Sequence, residues 1–323
     1  MIDDRLHIEA VREKISQART ITILTHLNPD ADTIGTGLGI FNLLIKDTSK
    51  RVEIVNASNM LPAYLDFLPN FSKIKACMNF EDSLIITCDC GSIDRLGFNL
   101  ENRDIINLDH HESNGYYGSI NVVVSEYAAA SQVAYALFQK LYTINIDTAI
   151  CFYTALLSDT RYFTTSSVDP SVFNIAKELV DLGVDPAEVA RNFTQRRSLS
   201  SLRILQQALG NLTLSLNAKV AILYVTQDEI QATGASMPDM EGIVDYARSL
   251  VTVEIAIFVI QLEDSLRISL RSKNVDIASI AKHFGGGGHK VAAGFTLPQT
   301  NLQETIDIIV KTIQKTGLLD GKK

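Results

Sequence analysis

Four short runs, residues 21–25, 52–55, 84–88 and 105–108, are rich in β-branched side chains and apolar almost throughout, and the segment 34–45 carries its apolar positions at helical spacing. Strands that are apolar on both sides have to be covered on both faces. The pattern therefore predicts an α/β fold, a parallel sheet with helices on both faces, with further helices over 128–141, 148–157 and 170–182. In such a sheet the ligand sits beyond the carboxyl ends of the strands.

A chain of 323 residues exceeds what one core usually serves, so two domains are expected. The texture changes after Gly183. The expected boundaries are a first, catalytic domain over 1–185, a helical linker over 186–208 and a second, smaller domain over 209–323. In the second domain, runs at 212–216 and 220–225, and again at 253–262 and 266–270, read as hairpins, followed by helices over 276–284 and 303–315, which makes a smaller α/β mixed-sheet domain. No apolar run is long enough to span a membrane, and the amino terminus, Met1-Ile2-Asp3-Asp4-Arg5, lacks the basic-then-apolar layout of a signal peptide, so the chain reads as cytoplasmic. A net charge of −8 argues against capture of long duplex nucleic acid, which needs a basic stripe. Cys77, Cys88, Cys90 and Cys151 are too few and scattered for a disulfide framework, and Cys88 and Cys90 read as small buried side chains.

The chemistry gathers where apolar segments end. After the first run come His26, Asp30 and Asp32; after the third comes Asp89; after the fourth comes the triplet Asp109-His110-His111; and Asp159 closes the apolar stretch before it. Chance places only about 0.1 adjacent histidine pairs in a chain with so few. An aspartate after a strand is ordinarily a helix cap or turn former. Taken together, however, these groups exceed what one cation needs and fit two cations sharing a ligand, an arrangement that serves in-line displacement at phosphorus. Oxygen-rich ligation with some imidazole favours manganese, with magnesium as the alternative. In the second domain Gly285, Gly286, Gly287 and Gly288 expose backbone amides unshielded by side chains, a cradle for phosphate oxygens to which His289 adds a donor, although a flexible hinge fits equally. Arg95, just past Asp89, reads either as a phosphate contact or as the partner of a nearby acid.

His26-x-x-Pro29-Asp30-x-Asp32, Asp89, Asp109-His110-His111, Asp159 and the glycine run with His289 together resemble the DHH phosphoesterases whose DHH domain is followed by a DHH-associated domain. The layout is similar to the nanoRNase type, oligoribonuclease and pAp phosphatase in one. The resemblance implies two domains with an active-site cleft between them. It implies His26 and Asp30 on one cation, Asp32, His110 and Asp159 on the other, and Asp89 bridging. Asp109 would orient its neighbours, and His111 would face the substrate phosphate. Arg271-Ser272 and the loop Gly286, Gly287, Gly288, His289 match the substrate contacts of the associated domain. Ala31, Thr33 and Thr36 depart from the usual first motif and spare every ligand. The implied substrates are short RNA, pApA, pGpG and pAp, and a homodimer is favoured. A cyclic-dinucleotide phosphodiesterase and a non-catalytic nucleotide-binding regulator are the alternatives.

Overall fold

The computed structural model describes residues 4–319 and divides into two compact units, residues 1–196 and 197–323. In the first, α1 (Ile8–Gln17) leads into β1 (Thr20–Thr25), α2 (Ala31–Leu44), β2 (Arg51–Val55), β3 (Ile74–Lys75), β4 (Leu84–Cys88), β5 (Ile105–Asp109) and β6 (Ile120–Val123), and the unit closes with α3 (Ala130–Phe138), α4 (Ile146–Asp159), α5 (Pro170–Asp181) and α6 (Pro186–Thr194). The six strands form one sheet in the order β3-β2-β1-β4-β5-β6, and every pairing is parallel. From β1 the chain winds outward to β2 and β3, and from β4 it winds the other way to β5 and β6. The winding reverses between β1 and β4, which is where a parallel sheet opens a crevice at its carboxyl edge.

The expected α/β class with a parallel sheet is what the chain adopts. The two faces are covered unequally. Ile21, Ile23, Ile54, Ile86, Ile106 and Leu108 pack with residues of α1 to α6 in the main core, whereas Leu24, Val55, Ile85 and Ile105 on the other side pack against a smaller set drawn from the segment after β4, including Cys90, Leu96 and Leu100. That segment carries only a short 3-10 turn, Ile93–Leu96.

All fourteen residues of α2 are buried. Its close neighbour is α4, and Gly35 permits the approach: a Cβ built there would lie 2.6 Å from the Cys151 carbonyl oxygen. Backbone cannot move aside as a side-chain tip can. Because α2 begins with Asp32 in its first turn and α4 ends on Asp159, this contact sets the spacing of two acids. Gly35→Ala is therefore expected to cost about 2 kcal/mol by overpacking, in contrast to Ala substitution at Gly210, where a Cβ meets nothing within 4 Å. Urea unfolding of both variants checks this.

The second unit comprises α7 (Leu199–Gly210), β7 (Thr213–Ser215), β8 (Val220–Val225), α8 (Gln227–Thr233), α9 (Ile243–Arg248), β9 (Ile255–Gln261), β10 (Ser265–Ser272), α10 (Ala278–His283), β11 (Gly287–His289), β12 (Ala292–Pro298) and α11 (Leu302–Lys315). Its sheet, ordered β11-β12-β10-β9-β8-β7, is antiparallel except between β8 and β9. Alternate residues serve opposite faces: Ile222, Ile257 and Val259 pack with α10 and α11, while Leu223, Phe258 and Ile260 pack with α7 and α9. Both expected hairpins form, and the parallel pairing of β8 with β9 that joins them makes the sheet mixed, as expected; the crossover between β8 and β9 is supplied by α8 and α9, which the sequence pattern did not disclose. The chain passes from one unit to the other between α6 and α7, so the two helices of the 186–208 segment belong to different units. Among the described residues no helix is long and apolar enough to cross a membrane.

Candidate metal centre

The carboxyl ends of β1, β4 and β5 and the last turn of α4 place their polar residues together in the first unit. Asp30 caps α2, its Oδ1 accepting from the backbone amides of Asp32 and Thr33, both at 3.1 Å. Asp32 is held from three directions: its Oδ2 accepts from the Ala130 amide at 2.7 Å, and its Oδ1 accepts from the Ser131 amide at 3.2 Å and the Thr36 hydroxyl at 3.1 Å. The first turn of α3 thus fixes an acid that lies 98 residues earlier in the chain. Asp89 follows β4 with φ of +56°, a left-handed conformation that aspartate tolerates better than most side chains.

His26 Nε2 lies 3.5 Å from Asp89 Oδ2 and 3.8 Å from Asp30 Oδ1. His110 Nε2 lies 3.4 Å from Asp89 Oδ1, 3.5 Å from Asp159 Oδ2 and 3.8 Å from Asp32 Oδ2. The two oxygens of Asp89 therefore face different imidazoles. In each of the groups His26/Asp30/Asp89 and Asp32/His110/Asp159 the donor atoms lie within 4.8 Å of one another, and Asp89, His110 and His111 make a third such group. The far nitrogens of the rings are turned to backbone carbonyls, His26 Nδ1 to Leu27 at 2.9 Å and His110 Nδ1 to Tyr127 at 3.2 Å. A ring that donates from Nδ1 keeps Nε2 as a lone-pair donor toward the acids, the tautomer a metal requires.

The electrostatics of the cluster call for added positive charge. Asp32 is raised well above the ordinary carboxylate range by burial and by the charges of Asp89 and Asp159. Asp159 is pushed up to about 6, first by burial and then by Asp89, against the pull of His110. It also sits at a helix carboxyl terminus, the unfavourable end of the dipole for an anion. Asp30 is raised by burial and by Asp89. Burial acts on Asp89 in the same sense, but the neighbouring His110 and His26 imidazoles outweigh it and hold that carboxyl low. Burial would lower His26 and His110, and Asp89 instead raises both. Asp89 Oδ1 is buried without a hydrogen-bond partner, an atom that a cation would satisfy. The residues present thus fit two divalent cations with oxygen and nitrogen donors. Thiols are absent from these groups, and burial drives Cys90 up to about 11 and Cys88 higher than its usual range as well.

Asp109 is fully buried and receives the His110 amide at 2.8 Å and His111 Nδ1 at 2.7 Å on one oxygen. Arg95 Nη2 comes within 3.2 Å of His26 Nδ1, and the Leu27 amide donates to the Arg95 carbonyl at 2.7 Å, so Arg95 packs beside the first imidazole. Sequence reasoning missed Thr33, whose hydroxyl donates to the Cys88 carbonyl at 2.8 Å and ties α2 to β4, and Asn56, which donates to the His26 carbonyl at 2.8 Å. Thr33, in the first turn of α2, stood out only as a departure from the usual first motif, and Asn56 only as a polar residue after β2.

In the second unit Arg271 pairs in register with Ala292 on β12, and Ala292 with His289 on β11. In-register neighbours share a face, so Arg271 and His289 stand in one row, about 10 Å apart, with only a methyl group between them. Two expectations change. Ser272 is fully buried with its hydroxyl donated to the Val275 carbonyl, so it shapes the turn after Arg271 and offers no surface contact. The glycine run is not an open loop throughout: Gly287 and Gly288 form β11 with His289, and a Cβ at Gly286 would sit 2.2 Å from the Gly294 carbonyl oxygen. Part of the glycine requirement is therefore close strand packing, while the outer side of Gly287 is open.

Residues 20–157 match the DHH family, N-terminal domain, and residues 204–315 match the DHHA1 domain, together most of the chain, so the chain carries a DHH domain followed by a DHHA1 domain. Among individual relatives, it is 28% identical to the bifunctional oligoribonuclease and PAP phosphatase NrnA of Thermus thermophilus, over 91% of this chain and 89% of that one. It is 26% identical to a probable bifunctional oligoribonuclease and PAP phosphatase NrnA of Streptococcus mutans, over 88% and 92%. The fold is shared with the crystal structure of an exopolyphosphatase-related protein from Bacteroides fragilis, with a TM-score of 0.89, 24% identity and 96% of each chain covered.

Proposed function

We propose that this chain is a two-cation phosphoesterase that hydrolyses short oligoribonucleotides, pApA and pGpG among them, to mononucleotides, and pAp to AMP, in the cytoplasm. The observation that carries this reading is the placement of Asp89 between two ligand groups, one oxygen toward each. The activities named for the Thermus and Streptococcus relatives support it. Manganese is the first candidate ion and magnesium the second. When bound, two such cations neutralise phosphate charge and lower the pKa of a water.

The protein's own groups do the rest. His26, Asp30, Asp32, His110 and Asp159 would hold the cations and Asp89 would be shared, and the capped and hydrogen-bonded state of Asp30 and Asp32 fixes their geometry before substrate arrives. His111 is oriented through Nδ1 by Asp109, which also raises it above the ordinary imidazole range, and in its protonated form it can donate from Nε2 to a phosphate oxygen. Arg95, Arg271, His289 and the run Gly286, Gly287, Gly288 are assigned to substrate binding, although the Gly286 amide itself is donated to the Ala281 carbonyl at 2.8 Å. Arg271 and His289 suit a terminal phosphate, since both can donate to an anion.

Initial rates on pApA, pGpG, pAp, a twenty-nucleotide RNA and pyrophosphate, each with manganese, test the reading. Mononucleotide release should be fastest from the dinucleotides and slowest from the long RNA. Equal or faster cleavage of the twenty-mer would remove the preference for short substrates, and failure to release mononucleotide from any of them would remove the function.

A further inference from the structure

Beneath His111 lies a chain of buried amides that none of the ligand roles uses. Asn114 is 7% exposed, and its Nδ2 donates to Asp109 Oδ2 at 2.5 Å and toward the Cys90 carbonyl at 3.3 Å. Its Oδ1 accepts from the Tyr116 amide at 2.7 Å and from Asn107 Nδ2 at 2.9 Å. Asn107 Nδ2 also donates to Asn121 Oδ1 at 3.1 Å, and that oxygen accepts from the Gly118 amide at 2.9 Å. An asparagine amide has two orientations, and here backbone groups select one. The Tyr116 and Gly118 amides can only donate and the Cys90 carbonyl can only accept, so the polarity of the whole chain is determined.

The consequence runs outward to the reacting edge. Asn114 must present its NH2 to Asp109, and the His110 amide must donate to the other oxygen, so both oxygens of Asp109 act as acceptors. His111 Nδ1, 2.7 Å from that second oxygen, must then carry a proton. We propose that Asn114 is a positioning residue: through Asp109 it fixes the Nδ1–H form and the ring orientation of His111, so that Nε2 is the atom offered to substrate. Asn107 and Asn121 extend the same restraint to β5 and to the loop before β6, which makes the 114–121 segment the setting device for the histidine.

The activity arm of the test rests on the phosphoesterase reading; the structural arm does not. Nitrogen-15 spectra of the wild-type protein loaded with magnesium, with His111 assigned against a His111→Gln variant, should show Nδ1 protonated. A bare Nδ1 with the proton on Nε2 alone would overturn the proposal. For activity, Asn114→Ala should lose about 10- to 100-fold in kcat on a dinucleotide with KM within about threefold, because the group acts on orientation and not on substrate affinity. Asn114→Asp should lose at least as much, since it sets a second acid against Asp109. A folded Asn114→Ala protein with kcat within twofold of wild type would also overturn it. If wild type releases no mononucleotide, the phosphoesterase reading fails while the nitrogen-15 result still decides the role of Asn114.

Discussion

Asp89→Ala is expected to end metal-dependent hydrolysis, with kcat falling by about 10^3-fold or more, equivalent to roughly 4 kcal/mol of transition-state stabilisation. Asp89 is 3% exposed and joins the His26/Asp30 group to the Asp32/His110 side of the centre. A neighbouring acid cannot take its place: Asp30 and Asp32 are committed to the amino termini of α2 and α3, and Asp159 is fixed to the end of α4. Calorimetric titration should show two manganese ions per chain in the wild type and at most one in the variant. Circular dichroism should be unchanged, since Asp89 Oδ1 makes no hydrogen bond whose loss would unfold β4. Activity within tenfold of wild type would remove the shared-ligand role.

The second large effect is a pH dependence of the stabilisation by cation that runs opposite to that of the chelated protein. In the cation-free protein Asp159, half-buried beside Asp89, is pushed up to about 6, above the ordinary aspartate value, and His26, His110 and His111 are all raised despite their burial, the first two mainly by Asp89 and the third mainly by Asp109. A carboxylate with a raised folded pKa binds its proton more tightly in the native state, so it loses stability as pH rises from about 4 to 6. A histidine with a raised folded pKa contributes stability that is complete below about 6.5 and is lost as pH climbs through the folded value. Both signs agree: the chelated protein should gain in Tm as pH falls from 8 toward 5. Cations compete with these same protons, so the added Tm from manganese should be largest near pH 8 and shrink toward pH 5. Scanning calorimetry with and without chelator checks both. A manganese increment that grows on acidification would contradict ligation by these residues.

The strands that carry the ligands were legible because β1, β4 and β5 are short, buried runs rich in β-branched residues, each followed by or ending on an acid or a histidine. β3, two residues long, and β6, whose register with β5 depends on the loop before it, left too little pattern to read. At Asp30 the two readings of an aspartate after a strand are both correct, since it caps α2 and also faces His26. Pro29-Asp30 could have set the start of α2 at residue 31 instead of 34. What sequence patterning does not reach is the support around the ligands. The Ala130 and Ser131 amides on Asp32, the Tyr127 carbonyl on His110 and the asparagines behind Asp109 are contacts between distant segments, several of them through backbone, and side-chain periodicity carries no record of them.

The most direct test of the paired-cation centre is anomalous diffraction at the manganese edge from crystals soaked in manganese. Two peaks are expected on either side of the Asp89 carboxylate, one against His26 and Asp30 and the other against Asp32, His110 and Asp159. A single peak away from Asp89, or acids turned apart with no peak between them, would contradict it.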